Sequence, residues 1–119
     1  MEETNDSILE TVRKMIGPSE DYNYFDTDLI AHINSMFEVL TQCGVGPVEG
    51  FFITGSDEKW SDFITSGVLL RMVKTYIATR VRLIFDPPTS SATAEAFKKT
   101  ADELEWRMYI QAQELNRGL

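Results

Sequence analysis

Along residues 68–88, VLLRMVKTYIATRVRLIFDPP, apolar side chains recur with the period of one long helix. Leu69, Val73, Tyr76 and Leu83 fall four, three and seven apart, and Arg80 takes the skipped heptad position. Leu70, Met72, Ile77, Val81 and Ile84 widen the apolar arc to roughly half the circumference, more than a helix packed on one side needs. The pattern therefore predicts a central helix covered by the others. Opposite lies a narrow strip of Arg71, Lys74, Thr75, Ala78 and Arg82, the part free to face water or a partner. Pro87 disfavours a helical Asp86, and neither Pro87 nor Pro88 has a backbone N–H to donate, so Asp-Pro-Pro ends the helix.

Three further stretches show helical period. Ile8, Leu9, Val12, Met15 and Ile16 form one stripe, which Ser7 and Glu10 open as a capping box and Gly17-Pro18 closes. After a polar, acidic loop over residues 18–24, FDTDLIAHINSMFEVL reads as a second helix, with Asp26 as N-cap, Asp28 at its positive end and Phe25 stapled onto Ile30. Its core face is Leu29, Ile30, Ile33, Met36, Phe37 and Leu40, with Asn34, Glu38 and Thr41 opposite, and Gly44 and Gly46-Pro47 end it. The last helix runs from about Ala92 towards Asn116. Phe97, Ala101, Leu104, Met108 and Leu115 alternate along its seam, with Gln111 in the heptad gap, which predicts an antiparallel hairpin with the central helix. Glu95 with Lys99 and Glu103 with Arg107 support it at i,i+4. Trp106, Tyr109 and Ile110 do not belong to that seam; they project on the back of the helix.

Residues 44–57, GVGPVEGFFITGSD, break the helical pattern. The glycines do not make a phosphate loop, since no Gly-Lys-Ser/Thr and no strand-to-helix context accompanies them. Phe51, Phe52 and Ile53 read as a tucked plug or minor strand, with an exposed partner-binding finger as the alternative. Ser56 then caps a short helix carrying Trp60, Phe63 and Ile64, set off from the central helix by Ser66-Gly67. Four stripes of helical period and one short β-like run make an all-α bundle of four or five helices. At 119 residues and 43% apolar composition, it forms a single domain, residues 1–119, around one core.

Composition narrows the chemistry. No apolar run reaches the roughly 20 residues of a membrane span, and the first seven residues are acidic where a signal peptide is basic then apolar, so the chain reads as cytosolic. One cysteine, Cys43, and one histidine, His32, leave no internal disulfide and too few soft ligands for zinc. No cofactor or metal is expected. A hydrolase built on Asp26, Asp28 and His32 has proximity in sequence only, without a nucleophile or an oxyanion device. His32 reads as a partly covered surface residue and Cys43 as a small apolar filler.

The net charge of -8 argues against general binding to nucleic acid, which needs a basic footprint. Residues 1–62 carry thirteen acids against three bases, whereas residues 63–119 carry six against eight. Such halves fit solvated faces of an acidic protein or head-to-tail association of unlike faces.

The runs FDTDLIAHINSMFEVLTQCGVGP and VKTYIATRVRLIFDPPTSS and the terminal ELEWR together resemble the small head-tail connector proteins of long-tailed double-stranded-DNA bacteriophages and prophages of Gram-positive hosts. The three motifs in this order carry a resemblance that spans the chain from its first helix to Arg107. It implies an all-α subunit without catalytic residues, located at the head-tail interface of the virion after assembly in the host cytoplasm. Such subunits form a ring beneath the portal protein, usually twelvefold, that completes the head and extends the DNA channel after packaging. The ring supplies the docking surface for a stopper or tail-completion protein. DNA passes without sequence-specific binding, and no membrane is involved. Asp86, Pro87, Pro88, Glu105, Trp106 and Arg107 enter as motif positions with structural or interface roles.

Within that reading, Trp106, Tyr109 and Ile110 with the cations Arg71, Lys74 and Arg82 are the expected contact residues. Arg80 is the structural ion, in the middle of an apolar arc where an unpaired charge is costly. The rival is a small helical DNA-binding or regulatory protein whose phosphate contacts are Arg71, Lys74 and Arg82, although no helix-turn-helix pattern supports it.

Overall fold

The computed structural model describes residues 6–16, 26–65 and 67–116. Five helices form over them: α1 (Ile8–Ile16), α2 (Asp26–Gln42), α3 (Trp60–Phe63), α4 (Gly67–Phe85) and α5 (Ser91–Asn116). No strand occurs among the described residues, so the expected all-α class is what is observed. The ends assigned to Gly17-Pro18, the loop 18–24, the Phe25 staple and the Ser66 break lie outside the described residues.

The wide apolar arc of α4 places it at the centre, packed against α1, α2 and α5. Leu69, Val73, Tyr76, Ile77 and Val81 are buried along it. Ile84, expected in the same arc, is 48% exposed. Phe85 takes the inward position instead, its ring edge-on to His32 of α2 with centroids 5.3 Å apart.

Ser7 caps α1 by accepting the Glu10 N–H at 3.3 Å, while the Glu10 carboxylate accepts from Arg13 at 3.0 Å. Ile8, Leu9, Val12 and Ile16 are buried, but Met15 is 49% exposed. At 100° per residue Met15 lies roughly 75° from the centre of that arc, at its edge. Arg13 reaches on to Asp26 at 2.8 Å and ties α1 to the start of α2. Asp26 is therefore the first helical residue and an ion-pair partner rather than the cap.

The C-terminus of α2 closes as a Schellman motif. The Gly44 N–H donates to the Thr41 carbonyl at 3.0 Å and the Val45 N–H to the Leu40 carbonyl at 2.9 Å. Gly44, at φ 87°, supplies the left-handed residue this turn requires, and the buried pair Leu40 and Val45 completes it.

The segment after α2 is a plug without a strand. Phe51 packs edge-on to Phe37 at 5.0 Å and tilted on Phe63 at 5.3 Å, Ile53 is buried, and Phe52 between them is 65% exposed. Asn34, expected on the polar face of α2, fastens this segment: its amide donates to the Ile53 carbonyl at 3.0 Å and accepts the Ile53 N–H at 2.7 Å. The helix expected to start at Ser56 begins at Trp60, where the Asp62 carboxylate accepts the Lys59 N–H at 2.9 Å. A bridge of two backbone bonds, Ile8 N–H to Glu58 O at 3.0 Å and Trp60 N–H to Asp6 O at 3.2 Å, joins the start of α1 to α3. The Trp60 indole donates to Thr11 at 3.2 Å, so the largest buried side chain locks α1 in place.

After Asp86-Pro87-Pro88 the Ser90 hydroxyl accepts the Thr93 N–H at 3.3 Å and starts α5. Contacts pair Arg82 with Phe97, Arg80 with Asp102 and Tyr76 with Glu105, so α4 and α5 run antiparallel. The inner face of α5 is small: Ala101, Met108 and Ala112 are its buried residues. Ala112 replaces Leu115 at the end of the expected seam, and Leu115 is 49% exposed. Glu103 pairs with Arg107 at 2.7 Å, while Glu95 and Lys99 form no ion pair among the described residues.

Candidate functional site

The hairpin interface is fixed by a charged cluster. Arg80 donates to Asp102 at 2.7 Å and to Glu105 at 3.2 Å, and the Tyr76 hydroxyl donates to the same Glu105 oxygen at 2.7 Å. The Arg80 guanidinium also lies 5.3 Å from the Tyr76 ring centroid. Burial disfavours the Arg80 cation, but its hydrogen bonds to Asp102 and Glu105, with the Tyr76 phenol beside it, outweigh this and hold it above its ordinary pKa. Burial, reinforced by the bond to Glu105, pushes the Tyr76 phenol up to about 12. A charge inside an apolar arc is thereby paired, and the pairing sets the register of α5 on α4.

Fixing that register turns the opposite face of α5 outward. Trp106 is 61% exposed, Ile110 41% and Tyr109 38%. The Trp106 and Tyr109 rings stack, with centroids 5.8 Å apart and planes inclined by 30°. Beside them an open groove runs between the helices, lined by Val68 and Met72 of α4 and Glu103, Trp106, Arg107, Ile110 and Gln111 of α5. Val68, 49% exposed, extends the apolar surface across the hairpin. Large side chains gathered in this way resemble an interface more than isolated surface residues do.

The three cations of α4 diverge. Lys74 lies with its ammonium 5.6 Å from the Trp60 ring centroid, and Arg82 lies 5.2 Å from that of Phe97 while donating to the Asp86 carbonyl at 3.3 Å. Arg71 is exposed and makes no ion pair among the described residues. Arg71 is not among the residues lining the groove; it stands on the same helix as Val68 and Met72, with its guanidinium by Gly67 at the start of α4. Asp86 and Pro87 are exposed and Pro88 half-buried, at the turn between α4 and α5.

No catalytic constellation accompanies this surface among the described residues. Asp26 is engaged by Arg13, Asp28 is exposed, and His32 packs on Phe85. Burial pushes the Cys43 thiol above its usual pKa, away from the reactive thiolate. No group of three His, Cys, Asp or Glu is placed to hold a metal ion, and no described helix is long and apolar enough to cross a membrane.

Sequence reasoning found the α5 surface but missed two elements of its surroundings. Met72, expected in the apolar arc of α4, is half-buried against the core and lines the groove, and Val68, to which the pattern assigned no role, is 49% exposed beside it. The Asn34 clamp had no signal at all, since an Asn on a polar helix face carries no mark of a partner nineteen residues on.

No curated protein and no solved structure matches the chain significantly. The family model for phage connector proteins matches residues 8–115, from the first residue of α1 almost to the end of α5. The chain belongs to the phage connector protein family and has a structural role in the virion, joining other phage head and tail proteins.

Proposed function

We propose that the chain is a single-domain, non-catalytic subunit of a ring beneath the portal protein. The ring completes the head, extends the DNA channel and offers a docking surface to a stopper or tail-completion protein. Subunits associate head to tail during assembly in the host cytoplasm, and the bare face of α5 is part of their contact. The observation that carries this reading is the stacked Trp106 and Tyr109 pair with Ile110, large side chains left outward on a helix whose inner face is already packed. Aromatic anchors inside a polar rim are where interface energy concentrates. A contact between unlike faces closes into a ring when its rotation divides the circle. The acidic balance suits a channel that must let the duplex pass. A phosphate-binding role for the α4 cations loses support, because Lys74 and Arg82 are spent on Trp60 and Phe97.

Electron microscopy of particles assembled with and without the chain tests the proposal. Without it, DNA-filled heads should accumulate without tails; with it, a ring of density should sit under the portal. Tailed particles formed in its absence would end the reading.

A further inference from the structure

The outward side of the segment after α2 has no role in the fold. Val48 is 96% exposed and Phe52 65%, yet the backbone beneath them is held firmly. Asn34 grips Ile53 through two hydrogen bonds, and Glu58 accepts from the Thr54 N–H at 3.0 Å, the Thr54 hydroxyl at 2.8 Å and the Gly55 N–H at 3.3 Å. A turn closed by the Gly50 N–H and the Pro47 carbonyl at 3.0 Å carries Val48 and Glu49 at its tip. Phe52 is thus presented on a preorganised loop, which removes much of the ordering cost of a contact. The hollow beside it carries Glu38 and Glu49 and no cation.

The groove between α4 and α5 has the opposite character. Val68, Met72, Trp106 and Ile110 supply its apolar walls, Glu103 and Arg107 neutralise each other, and Arg71, exposed on α4 between Val68 and Met72 in sequence with its guanidinium by Gly67, makes no ion pair among the described residues. Loop and groove share no residue, so one copy can offer its loop while its own groove receives another's.

Resting on the proposed ring, we infer that its subunit contact seats Phe52 of one copy in the groove between α4 and α5 of the next, with Glu49 facing Arg71. The occupant is a second copy of this chain. An aromatic ring meets apolar walls, and a loop tip carrying Glu49, with Glu38 of α2 beside it, meets the exposed Arg71 guanidinium, which steers the approach and fixes its direction.

Disulfide trapping tests this in a Cys43→Ala background. A chain carrying Phe52→Cys is mixed with one carrying Ile110→Cys, in concentrated solution and on portal-bearing heads, and the linked species are separated. The mixed 52–110 dimer should exceed either homodimer. Adding Glu49→Arg to the first chain should lower its yield several-fold, and adding Arg71→Glu to the second should restore it. A predominant 110–110 link would overturn the inference, showing a symmetric contact, while leaving the α5 face in the subunit interface. A predominant 52–52 link, or a mixed link indifferent to Glu49→Arg, would also overturn it. No link from residue 110 under either condition would sink both the inference and the α5 contact on which it rests.

Discussion

Helices α4 and α5 lie side by side yet distribute their side chains in opposite ways. The 19 residues of α4 turn Leu69, Val73, Tyr76, Ile77 and Val81 inward, and three helices cover them. The 26 residues of α5 bury Ala101, Met108 and Ala112, and leave Trp106, Tyr109, Ile110 and Leu115 out. Hydrophobic burial alone would select the reverse, with the largest groups inside. Two alanines bring α5 close enough to α4 for Arg80 to meet Asp102 and Glu105. The aromatic groups outside add nothing to that packing. Stability is concentrated in α4, whereas the outer face of α5 stays exposed and, in the proposed ring, serves binding.

Substitutions that break this division rank by where they fall. Ile77→Ala removes a fully buried side chain from the helix that everything else covers. It should cost about 2–5 kcal/mol in urea unfolding. On α5 the damaging change runs the other way: Ala101→Leu overfills the hairpin and should cost about 1–3 kcal/mol. Equal tolerance at both sites would mean that α5 packs loosely and that its small inner residues carry no geometric meaning.

Arg80→Ala should cost about 1–2 kcal/mol, less than a fully buried pair, because the Asp102 side chain is 60% exposed and water screens it. The loss should shrink in high salt. Tyr76 adds a pH dependence at the same place. Its folded pKa, raised to about 12, exceeds the ordinary 10, so the unfolded chain releases the proton first. The resulting stability is complete below about pH 10 and is lost as pH rises to about 12. Tyr76→Phe should flatten this alkaline limb, and an unchanged limb would show that the phenol titrates normally.

The contrast between the two helices also explains what was legible in the sequence. The apolar arc of α4 is wide and regular, so its central place could be inferred from period alone, as could the odd position of Arg80. The Asp-Pro-Pro stop follows from backbone chemistry and marks the hairpin turn. On α5 the heptad pattern led to Leu115 as the end of the seam, but close approach to α4 favours Ala112, and side-chain size is not part of a periodicity. Ser56 was the wrong cap for α3 because the Glu58 carboxylate is engaged by Thr54 and Gly55, which keeps that stretch in a turn. Phe52 fell within an apolar run, and its exposure depends on the period-two alternation with Phe51 and Ile53 that the Asn34 clamp imposes. Pairings between distant segments, such as Asn34 with Ile53 or Arg13 with Asp26, leave no periodic trace. The outward Trp106 and Ile110 were visible because they depart from a period that their neighbours keep.

The most direct test replaces the outer face of α5 with Trp106→Ser and Ile110→Lys and measures two things on one sample: thermal unfolding, and addition of the chain to portal-bearing heads. Both sites are exposed, so stability should change by no more than about 0.5 kcal/mol per substitution. Addition to heads should be lost while the protein stays folded. An unfolded variant would place these residues in the core, and a folded variant that still assembles would contradict a binding role for the outer face of α5.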